Sequence, residues 1–495
     1  MGRMRSLASA VKGALCGRVW LAWTLRGTRP SGCRGQRIKQ ARSEFGRVNA
    51  GLQTRAFLAG CVMSTPQGVA PEKRLRAITI SGWRQFQNVR IDLHDRLTIL
   101  TGANGAGKTT ILNLIAPHFG WTVPLATTPS SNPLTRALEF VTNAWPWRSK
   151  DAPTSPRPDS VVGRIEYDQG ETEILIPQTT SEHTYIIRYA NPQRVRGLYI
   201  PSHRPVFVPT PVKPKLDVSP IDAFARYSTA VRTAWMPGLR SPETPLESMK
   251  STLLGWLSRA DSTLGAGFIE ALRTVLPTSL GFQGLTESSN EILVRTETGD
   301  FTIDAVSGGI AALIDLTWQI YTYAAADSGH FVVLIDEPEN HLHPELQRSV
   351  LHKLTRAFPV AQFIVASHAP LVVTSVRKAN VYALIYRDTS NLISEDAGEF
   401  GDQRWIVEAE ELSAIDRAGT ANEVLRDVLG LDYTMPVWAA TIFDEAVNEV
   451  ANSGYTPESL AGFESRLIDN GLASYVPKGI AEIAERGNRS AGAGA

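Results

Sequence analysis

Apolar residues recur with two different spacings in the first stretch that reads as folded, which begins near Arg74. Alternation over residues 75–80 and 89–93 predicts two strands, and the short apolar run 97–100 predicts a third, buried strand. A helix is indicated directly afterwards by apolar residues three and four positions apart, Ile111, Leu112, Leu114 and Ile115. The predicted order is therefore strand, Gly-rich loop and helix.

The rest of the pattern predicts further strands and helices. Residues 121–160 are rich in Pro, Ser and Thr and indicate a loop with one short helix. The apolar runs 331–335 and 362–366 predict strands buried on both faces, as parallel strands are. We also predict a helical C-terminal hundred residues, helices over most of 220–280, and strands at 161–167, 173–176, 185–189, 198–200, 291–296 and 301–303.

Charge is distributed unevenly between the first 62 residues and the rest. The 495-residue chain has a net charge of +1, but residues 1–62 hold twelve Lys and Arg against one acidic residue. The remainder is therefore acidic, with a net charge of −10. This balance gives no support to broad binding of nucleic acid, although it leaves room for a local basic groove.

The basic N-terminal stretch also contains all three cysteines, Cys16, Cys33 and Cys61. The acidic remainder can thus hold neither a disulfide nor a Cys-ligated metal, which fits a reducing cytoplasm. We expect translation to begin at Met63, with a disordered tail and a targeting segment as the alternatives. No apolar run reaches about 18 residues, so no transmembrane helix is expected.

A P-loop motif, G-x-x-x-x-G-K-T, fills the loop between the third strand and the helix. It comprises Gly102, Ala103, Asn104, Gly105, Ala106, Gly107, Lys108 and Thr109, followed by Thr110. Glycines let consecutive backbone N–H groups converge on phosphate oxygens at the positive end of the helix. Lys108 would reach the β- and γ-phosphates of ATP, and the Thr109 hydroxyl would bind Mg²⁺.

Two carboxylates follow the buried strand 331–335. Asp336 and Glu337 would lie at the carboxyl end of a central strand, where Asp336 can hold Mg²⁺ and Glu337 can orient or deprotonate the attacking water. An apolar run that ends in an acid is common, so this interpretation depends on the P-loop upstream. With it, the sequence predicts an ATPase site of the P-loop NTPase fold, α/β in class.

Three further motifs give the chain a resemblance to a known family. They are Ser307-Gly308-Gly309, the run Asp336-Glu337-Pro338-Glu339-Asn340-His341-Leu342-His343-Pro344, and Ala366-Ser367-His368. Together they resemble the ABC-type ATPase head of the RecF/SMC/OLD-like bacterial AAA ATPases, and residues 80–88 are similar to that group's first hairpin. The resemblance implies a mixed sheet with an antiparallel N-terminal β subdomain, a helical insert and a helical C-terminal tail.

The resemblance also implies roles for these residues. Ser307, Gly308 and Gly309 match the signature loop, which in such heads contacts the γ-phosphate of ATP held by a second subunit, so a homodimer of heads is implied. His368 matches the switch histidine that senses the γ-phosphate. The residues alone favour an ordinary helix N-cap for Ser307, whereas its position before the strand that ends in Asp336-Glu337 favours the signature loop. Val306 and Ile310, which flank the motif, depart from the usual pattern.

Other candidate residues stay less defined. His341 and His343 lack a third ligand nearby, which disfavours zinc, and the family pattern implies a place at the dimer interface. The glutamine loop is not located: Gln169 and Gln193 are candidates, but the segment 200–205 looks more like the family's own lid element.

Several functions remain open at this point. The resemblance extends to stand-alone ATPases of two-gene phage-defence systems, which implies an ATP-gated dimerising switch that controls a nuclease or toxin partner. The alternatives are a RecF-type DNA repair ATPase and an ABC transporter subunit, the latter disfavoured by the irregular signature. A C-terminal TOPRIM nuclease is not expected, because no D-x-D motif follows Glu408.

The expected organisation has three parts. Residues 1–73 form the basic extension, 74–390 the ATPase domain and 391–495 a helical accessory region. Within the ATPase domain we expect a first lobe at 74–200, a helical insert at about 205–285 and a second lobe at 290–390. A cytoplasmic location without membrane contact is expected.

Overall fold

The computed structural model describes residues 73–131, 138–142, 159–177, 179–180, 182–235, 241–259, 262–389, 405–413, 436–454 and 456–492. Every described residue belongs to one compact unit, Gly68–Ala495. Residues 1–72 of the predicted N-terminal extension, and residues 414–435 of the predicted helical C-terminal region, lie outside the described residues.

The strands are β1 Leu75–Trp83, β2 Phe86–Asp92, β3 Leu97–Gly102, β4 Leu125–Ala126, β5 Thr128–Ser131, β6 Leu138–Val141, β7 Asp159–Tyr167, β8 Glu171–Pro177, β9 Thr179–Thr180, β10 Thr184–Tyr185, β11 Arg188–Tyr189, β12 Gly197–Ile200, β13 Phe282–Ser288, β14 Glu291–Thr296, β15 Gly299–Thr302, β16 Phe331–Asp336, β17 Ala361–Ala366, β18 Asn380–Asp388 and β19 Trp405–Glu411. The helices are α1 Lys108–Ile115, α2 Pro220–Trp235, α3 Pro245–Leu257, α4 Thr263–Val275, α5 Gly308–Ala326, α6 Pro344–Gln347, α7 Val350–Ala357, α8 Pro370–Val373, α9 Val437–Ser453, α10 Pro457–Asp469 and α11 Val476–Gly492.

One large mixed sheet organises the molecule. Its strand order is β11-β8-β7-β1-β2-β19-β18-β3-β17-β16-β12. From β18 to β12 each strand runs parallel to its neighbour. From β2 through β1, β7 and β8 to β11 each strand runs antiparallel to its neighbour. Every residue of β3, β16 and β17 is buried, as their continuous apolar runs predict. The expected mixed α/β fold with an antiparallel N-terminal part is confirmed.

Helices α2 to α4 lie within the predicted helical insert and pack around α5. Trp318 of α5 is fully buried against Phe268 of α4 and Trp256 of α3, with ring centroids 5.1 and 5.3 Å away. This contact joins the insert to the helix that begins at Gly308. Strands β13, β14 and β15 form a separate antiparallel sheet beside the insert.

The prediction of an entirely helical region after residue 390 was wrong for Trp405–Glu411. These residues form β19, which pairs antiparallel with β18 and contacts β2 through Val407 and Phe86. Ile406 and Val407 are both buried, and Val407 belongs to the main core. The strand depends on pairing with distant parts of the chain, which the local pattern of residues does not reveal. Residues 437–492 are helical, apart from short connections, around a second core that contains Phe443 and Phe463.

No described helix is long and apolar enough to cross a membrane.

Candidate nucleotide site

The P-loop lies between β3 and α1, and glycines carry its turns. Gly102, Gly105 and Gly107 have φ angles of 132°, 82° and 100°, in the region that glycine tolerates best. A Cβ on Gly107 would lie 2.2 Å from Phe86 Cζ, and one on Gly102 would lie 2.4 Å from the Leu384 carbonyl oxygen. Both positions therefore require glycine. The loop has the shape of a backbone cradle that opens at the start of α1, where free N–H groups favour an anion.

Lys108 is the first residue of α1, and its side chain turns back over the loop. Its Nζ donates hydrogen bonds to the carbonyl oxygens of Gly102, at 2.8 Å, and Ala103, at 3.0 Å. Burial lowers the pKa of Lys108, while the negative charges of Glu337 and Asp336 oppose that shift. The ammonium group is thus held in the loop beside two carboxylates that follow β16.

Asp336 ends β16 directly opposite Thr109. The Thr109 hydroxyl donates to both carboxylate oxygens, at 3.1 and 3.0 Å. Burial raises the pKa of Asp336 to about 6, and the hydrogen bond from Thr109 opposes the rise. One carboxylate and one hydroxyl that converge beside a phosphate-sized cradle are suited to Mg²⁺, which prefers oxygen ligands. These residues therefore fit the predicted metal site.

Glu337 begins the turn after β16 with a left-handed backbone, φ 49°. Its N–H donates to the Ala366 carbonyl oxygen at 2.9 Å, which ties the turn to the end of β17. Its carboxylate accepts a hydrogen bond from Asn340 Nδ2 at 2.9 Å and lies 3.3 Å from His368 Nδ1. Glu337 thus contacts His368, another of the candidate site residues, and Asn340 is an additional partner.

Glu339 holds the backbone around His368 in place. One carboxylate oxygen, Oε1, accepts from Ser367 Oγ at 2.7 Å, from the His368 N–H at 3.1 Å and from the Ala369 N–H at 3.2 Å. Glu339 is only 4% exposed. Three donors on one buried oxygen fix the loop after β17 and, with it, the position of the histidine.

The signature loop lies apart from these hydrogen bonds. Ser307 is the N-cap of α5 but makes no side-chain cap bond, and both Ser307 and Gly308 are exposed. A Cβ on Gly309 would lie 3.1 Å from the His341 carbonyl oxygen, so this glycine packs against the turn that follows Glu337. Within the described ranges, no hydrogen bond or ion pair joins Ser307, Gly308 or Gly309 to the P-loop.

The two histidines after Glu337 have separate surroundings. His343 caps α6 by accepting from the Glu345 N–H, at 3.4 Å. His341 is exposed and has a φ of 68°. The part of the chain that the structure describes contains no group of three His, Cys, Asp or Glu that could hold a metal. Within the chain His343 is therefore a helix-capping residue, and a place for either histidine at a dimer interface stays a prediction.

Sequence reasoning missed Arg204 and Asn340. The Arg204 guanidinium donates to the carbonyl oxygens of Asp336, at 3.1 Å, and Glu337, at 3.2 Å. Its only sequence signal is its place in the segment 200–205 that resembles a lid element. Both candidates for the glutamine loop contact Lys73, whose Nζ donates to Gln193 Oε1 at 3.1 Å and to the Gln169 carbonyl oxygen at 2.9 Å.

Two family models match the chain, and they cover the two halves of the site. The first, described as an AAA domain, matches residues 77–137, which include the P-loop. The second, described as an AAA domain, putative AbiEii toxin, Type IV TA system, matches residues 208–374, which include Ser307, Asp336, Glu337 and His368.

Curated relatives match parts of the chain. The Septu protein PtuA of Bacillus thuringiensis is 27% identical over 190 residues, 35% of this chain and 44% of that protein. The Retron Vc95 probable ATPase of Vibrio cholerae is 39% identical over 75 residues, 15% of each chain. The Retron Ec83 probable ATPase of Escherichia coli is 39% identical over 92 residues, 19% of this chain and 17% of that protein. The chain therefore spans less than half the length of each of these relatives.

Solved structures also align with the chain at low similarity. The SMC head domain from Thermotoga maritima is 14% identical, with a TM-score of 0.36 over 69% of this chain and 99% of that chain. The ADP conformation of MJ1267, an ATP-binding cassette of an ABC transporter, is 14% identical, with a TM-score of 0.29 over 62% of this chain and 87% of that chain.

Proposed function

We propose that this chain, an ATPase with an ABC-type AAA domain, is an ATP-gated switch. In this proposal two copies close head to head on ATP and Mg²⁺, and the closed state controls a separate effector, a nuclease or a toxin, in defence against phage.

One observation carries the proposal. Lys108 and Asp336 are buried, Glu337 is partly buried, and each contacts its own neighbour: the P-loop carbonyl groups, Thr109 and His368. Ser307 and Gly308 are exposed, and among the described residues no hydrogen bond joins them to this centre. An exposed Ser at a helix start, where backbone N–H groups point outward, is an arrangement that can bind an anion from another molecule. A second copy that presents its own P-loop supplies that anion as the γ-phosphate.

The residues of the centre divide the chemistry between them. The P-loop N–H groups and Lys108 bind the phosphates, and Thr109 and Asp336 hold the metal. Bound Mg²⁺ supplies charge neutralisation for the phosphates. Glu337, oriented by Asn340 and His368, is placed to position water and take its proton.

Support for an effector partner comes from the relatives and from the site itself. The relatives include a Septu protein and two retron probable ATPases, and one matched family model is described as a putative toxin. These names agree with the resemblance to phage-defence ATPases. The acidic balance of residues 63–495 favours a protein partner over direct DNA binding.

Turnover measured against protein concentration tests the shared site. We expect phosphate release per chain to rise with concentration and to reach a plateau, because each active centre needs two chains. Constant turnover per chain down to concentrations where the protein is monomeric would contradict the proposal. Strong stimulation by duplex DNA, with a steep dependence on salt, would instead favour DNA repair.

A plaque assay tests the biological role. Cells that express the chain with its neighbouring gene are expected to resist phage, and Lys108→Ala is expected to remove the resistance. Equal plaque numbers with and without the wild-type pair, across a broad panel of phages, would count against defence.

A further inference from the structure

Residues 201–210, here called the strap, run from the end of β12 to the insert without forming a helix or a strand. At one end the strap touches the turn after β16, because Asn340 Nδ2 donates to the Ser202 carbonyl oxygen, at 2.9 Å, and to Glu337. At the other end Thr210 meets Asp304, three residues before Ser307. The strap therefore links the turn after β16, which begins at Glu337 and is here called the catalytic turn, to the signature loop within one chain.

A buried arginine holds the first end. Arg204 is 7% exposed and donates to three carbonyl oxygens, those of Pro201, Asp336 and Glu337. Glu337 has a left-handed backbone, a conformation that costs free energy for a residue other than glycine. Arg204 Nη2 donates to both successive carbonyl groups of the turn while Nη1 donates to Pro201, and a lysine ammonium, a point donor, would not reproduce this spread of donors.

The charge of a buried aspartate on α5, the helix that follows the signature loop, also acts on this arginine. Burial lowers the pKa of Arg204, and the charge of Asp315 is the largest contribution that opposes it. Asp315 is fully buried on α5, where Oδ1 accepts from Tyr227 Oη at 2.5 Å and from Gln319 Nε2 at 3.0 Å. Asp315 Oδ2 and Arg204 Nε have no hydrogen-bond partner in the described part of the chain. Electrostatic attraction thus connects the catalytic turn to α5.

A buried lysine holds the second end. Lys250 is fully buried on α3, and its Nζ donates to Asp304 Oδ2 at 2.6 Å, to Glu291 Oε2 at 2.8 Å and to the Thr210 carbonyl oxygen at 2.8 Å. The Thr210 N–H also donates to Asp304 Oδ2, at 3.2 Å. A buried charge is tolerated only when it is well paired, so these contacts fix the backbone just before the signature.

We propose that Arg204 and Lys250 are positioning residues at opposite ends of the strap. Arg204 orients the catalytic turn for the ATP bound in its own chain, whereas Lys250 orients the signature loop for the ATP bound by a second copy. The second half of this inference rests on the proposed function, since it needs two copies to share a site.

Steady-state kinetics test Arg204. We expect Arg204→Gln to lower kcat by about tenfold to a hundredfold, since it removes charged hydrogen bonds, while KM for ATP changes little. Arg204→Lys is expected to recover only part of kcat. A normal kcat for Arg204→Gln, or a loss that appears only in KM, would overturn the assignment.

Mixed-chain experiments separate the two ends. Lys250→Met chains keep a working P-loop, and Lys108→Ala chains keep a working signature, so their mixture is expected to hydrolyse ATP faster than either alone. The mixture of Arg204→Gln with Lys108→Ala is expected to gain nothing, because the misplaced Glu337 lies in the chain with the only working P-loop. No gain in the first mixture, or a gain in the second, would overturn the inference.

Two controls keep the result interpretable. Ser307→Arg mixed with Lys108→Ala should gain activity whenever two copies share a site; failure of that mixture would overturn the proposed function and, with it, the role of Lys250, but not that of Arg204. Lys250→Met/Asp304→Asn removes both members of the buried pair and replaces Lys250→Met in the mixture if the single variant does not fold, as judged by thermal unfolding.

Discussion

The P-loop with the acidic residues at the end of β16, here called the pocket, and the signature loop both lie at a helix start that can bind an anion. They differ in burial: the pocket is largely buried, whereas the signature loop is exposed. In the pocket, Lys108, Asp336 and Glu339 are 8%, 3% and 4% exposed and make hydrogen bonds to their neighbours. In the signature loop, Ser307 is exposed and makes no cap bond. A buried site carries its partners with it, whereas an exposed helix start gains its partner only on assembly. This difference supports our proposal that one chain supplies two halves of different sites.

The pocket should be the more sensitive of the two regions to a single substitution. Lys108→Ala removes the charge that the P-loop holds, so we expect kcat/KM for ATP to fall by about 10² to 10³-fold or more. Phosphate release measures this, with the exposed Lys378→Ala as a matched control expected to retain wild-type activity. Retained turnover in Lys108→Ala would mean that the pocket is not the site of ATP hydrolysis.

Removing the carboxylate that we propose as the catalytic base, Glu337, should separate hydrolysis from binding. Glu337→Gln keeps an oxygen for Asn340 but loses the base, so we expect single-turnover hydrolysis to slow by about a hundredfold with ATP affinity preserved. Exposed Glu345→Gln provides the control of the same chemistry. Hydrolysis at the normal rate would transfer the role of base to another group.

The signature loop should differ from Lys108 in that its substitution lowers turnover without weakening ATP binding. Ser307→Arg is expected to leave ATP binding intact and to lower turnover by about tenfold or more, because the large cation blocks contact with a second copy's phosphate. Equilibrium binding of a fluorescent ATP analogue and phosphate release together test this, with exposed Thr441→Arg on α9 as control. A loss of ATP binding in Ser307→Arg would show that the two regions act within one chain.

His368 lies between these extremes, since it is half exposed yet contacts Glu337 at 3.3 Å. We expect His368→Ala to lower kcat by about tenfold, as removal of one orienting partner does, with KM nearly unchanged. The exposed His352→Ala is the matched control. A change in KM alone would assign His368 to nucleotide binding and not to the reaction.

The smallest expected difference between the two regions is in stability, and it is tested at one glycine of each, Gly107 and Gly308. Gly107→Ala brings a Cβ against Phe86 at a φ of 100°, so we expect it to lower the free energy of unfolding by about 2 kcal/mol. Gly308→Ala meets nothing within 4 Å and should change that free energy by less than about 0.5 kcal/mol. Urea unfolding measures both. Equal destabilisation would mean that the signature loop is packed as tightly as the pocket.

The pocket was largely predictable from sequence, and its surroundings were not. The P-loop and the two acids at the end of β16 are local patterns, because each directly follows an apolar run and its functional residues are adjacent in the sequence. Arg204 acts on backbone carbonyl groups, which any residue type provides, so no pattern marks it. Strand β19 depends on pairing with distant strands, and a local reading of periodicity cannot supply that pairing.

The mass of the Glu337→Gln protein in solution, with and without ATP and Mg²⁺, tests the shared site most directly. The chain has a mass of 54.0 kDa, and we expect the particle to double in mass when ATP is added. The same variant with Lys108→Ala is expected to stay at the mass of one chain. A Glu337→Gln protein that binds ATP at saturation and still has the mass of one chain would contradict the central claim.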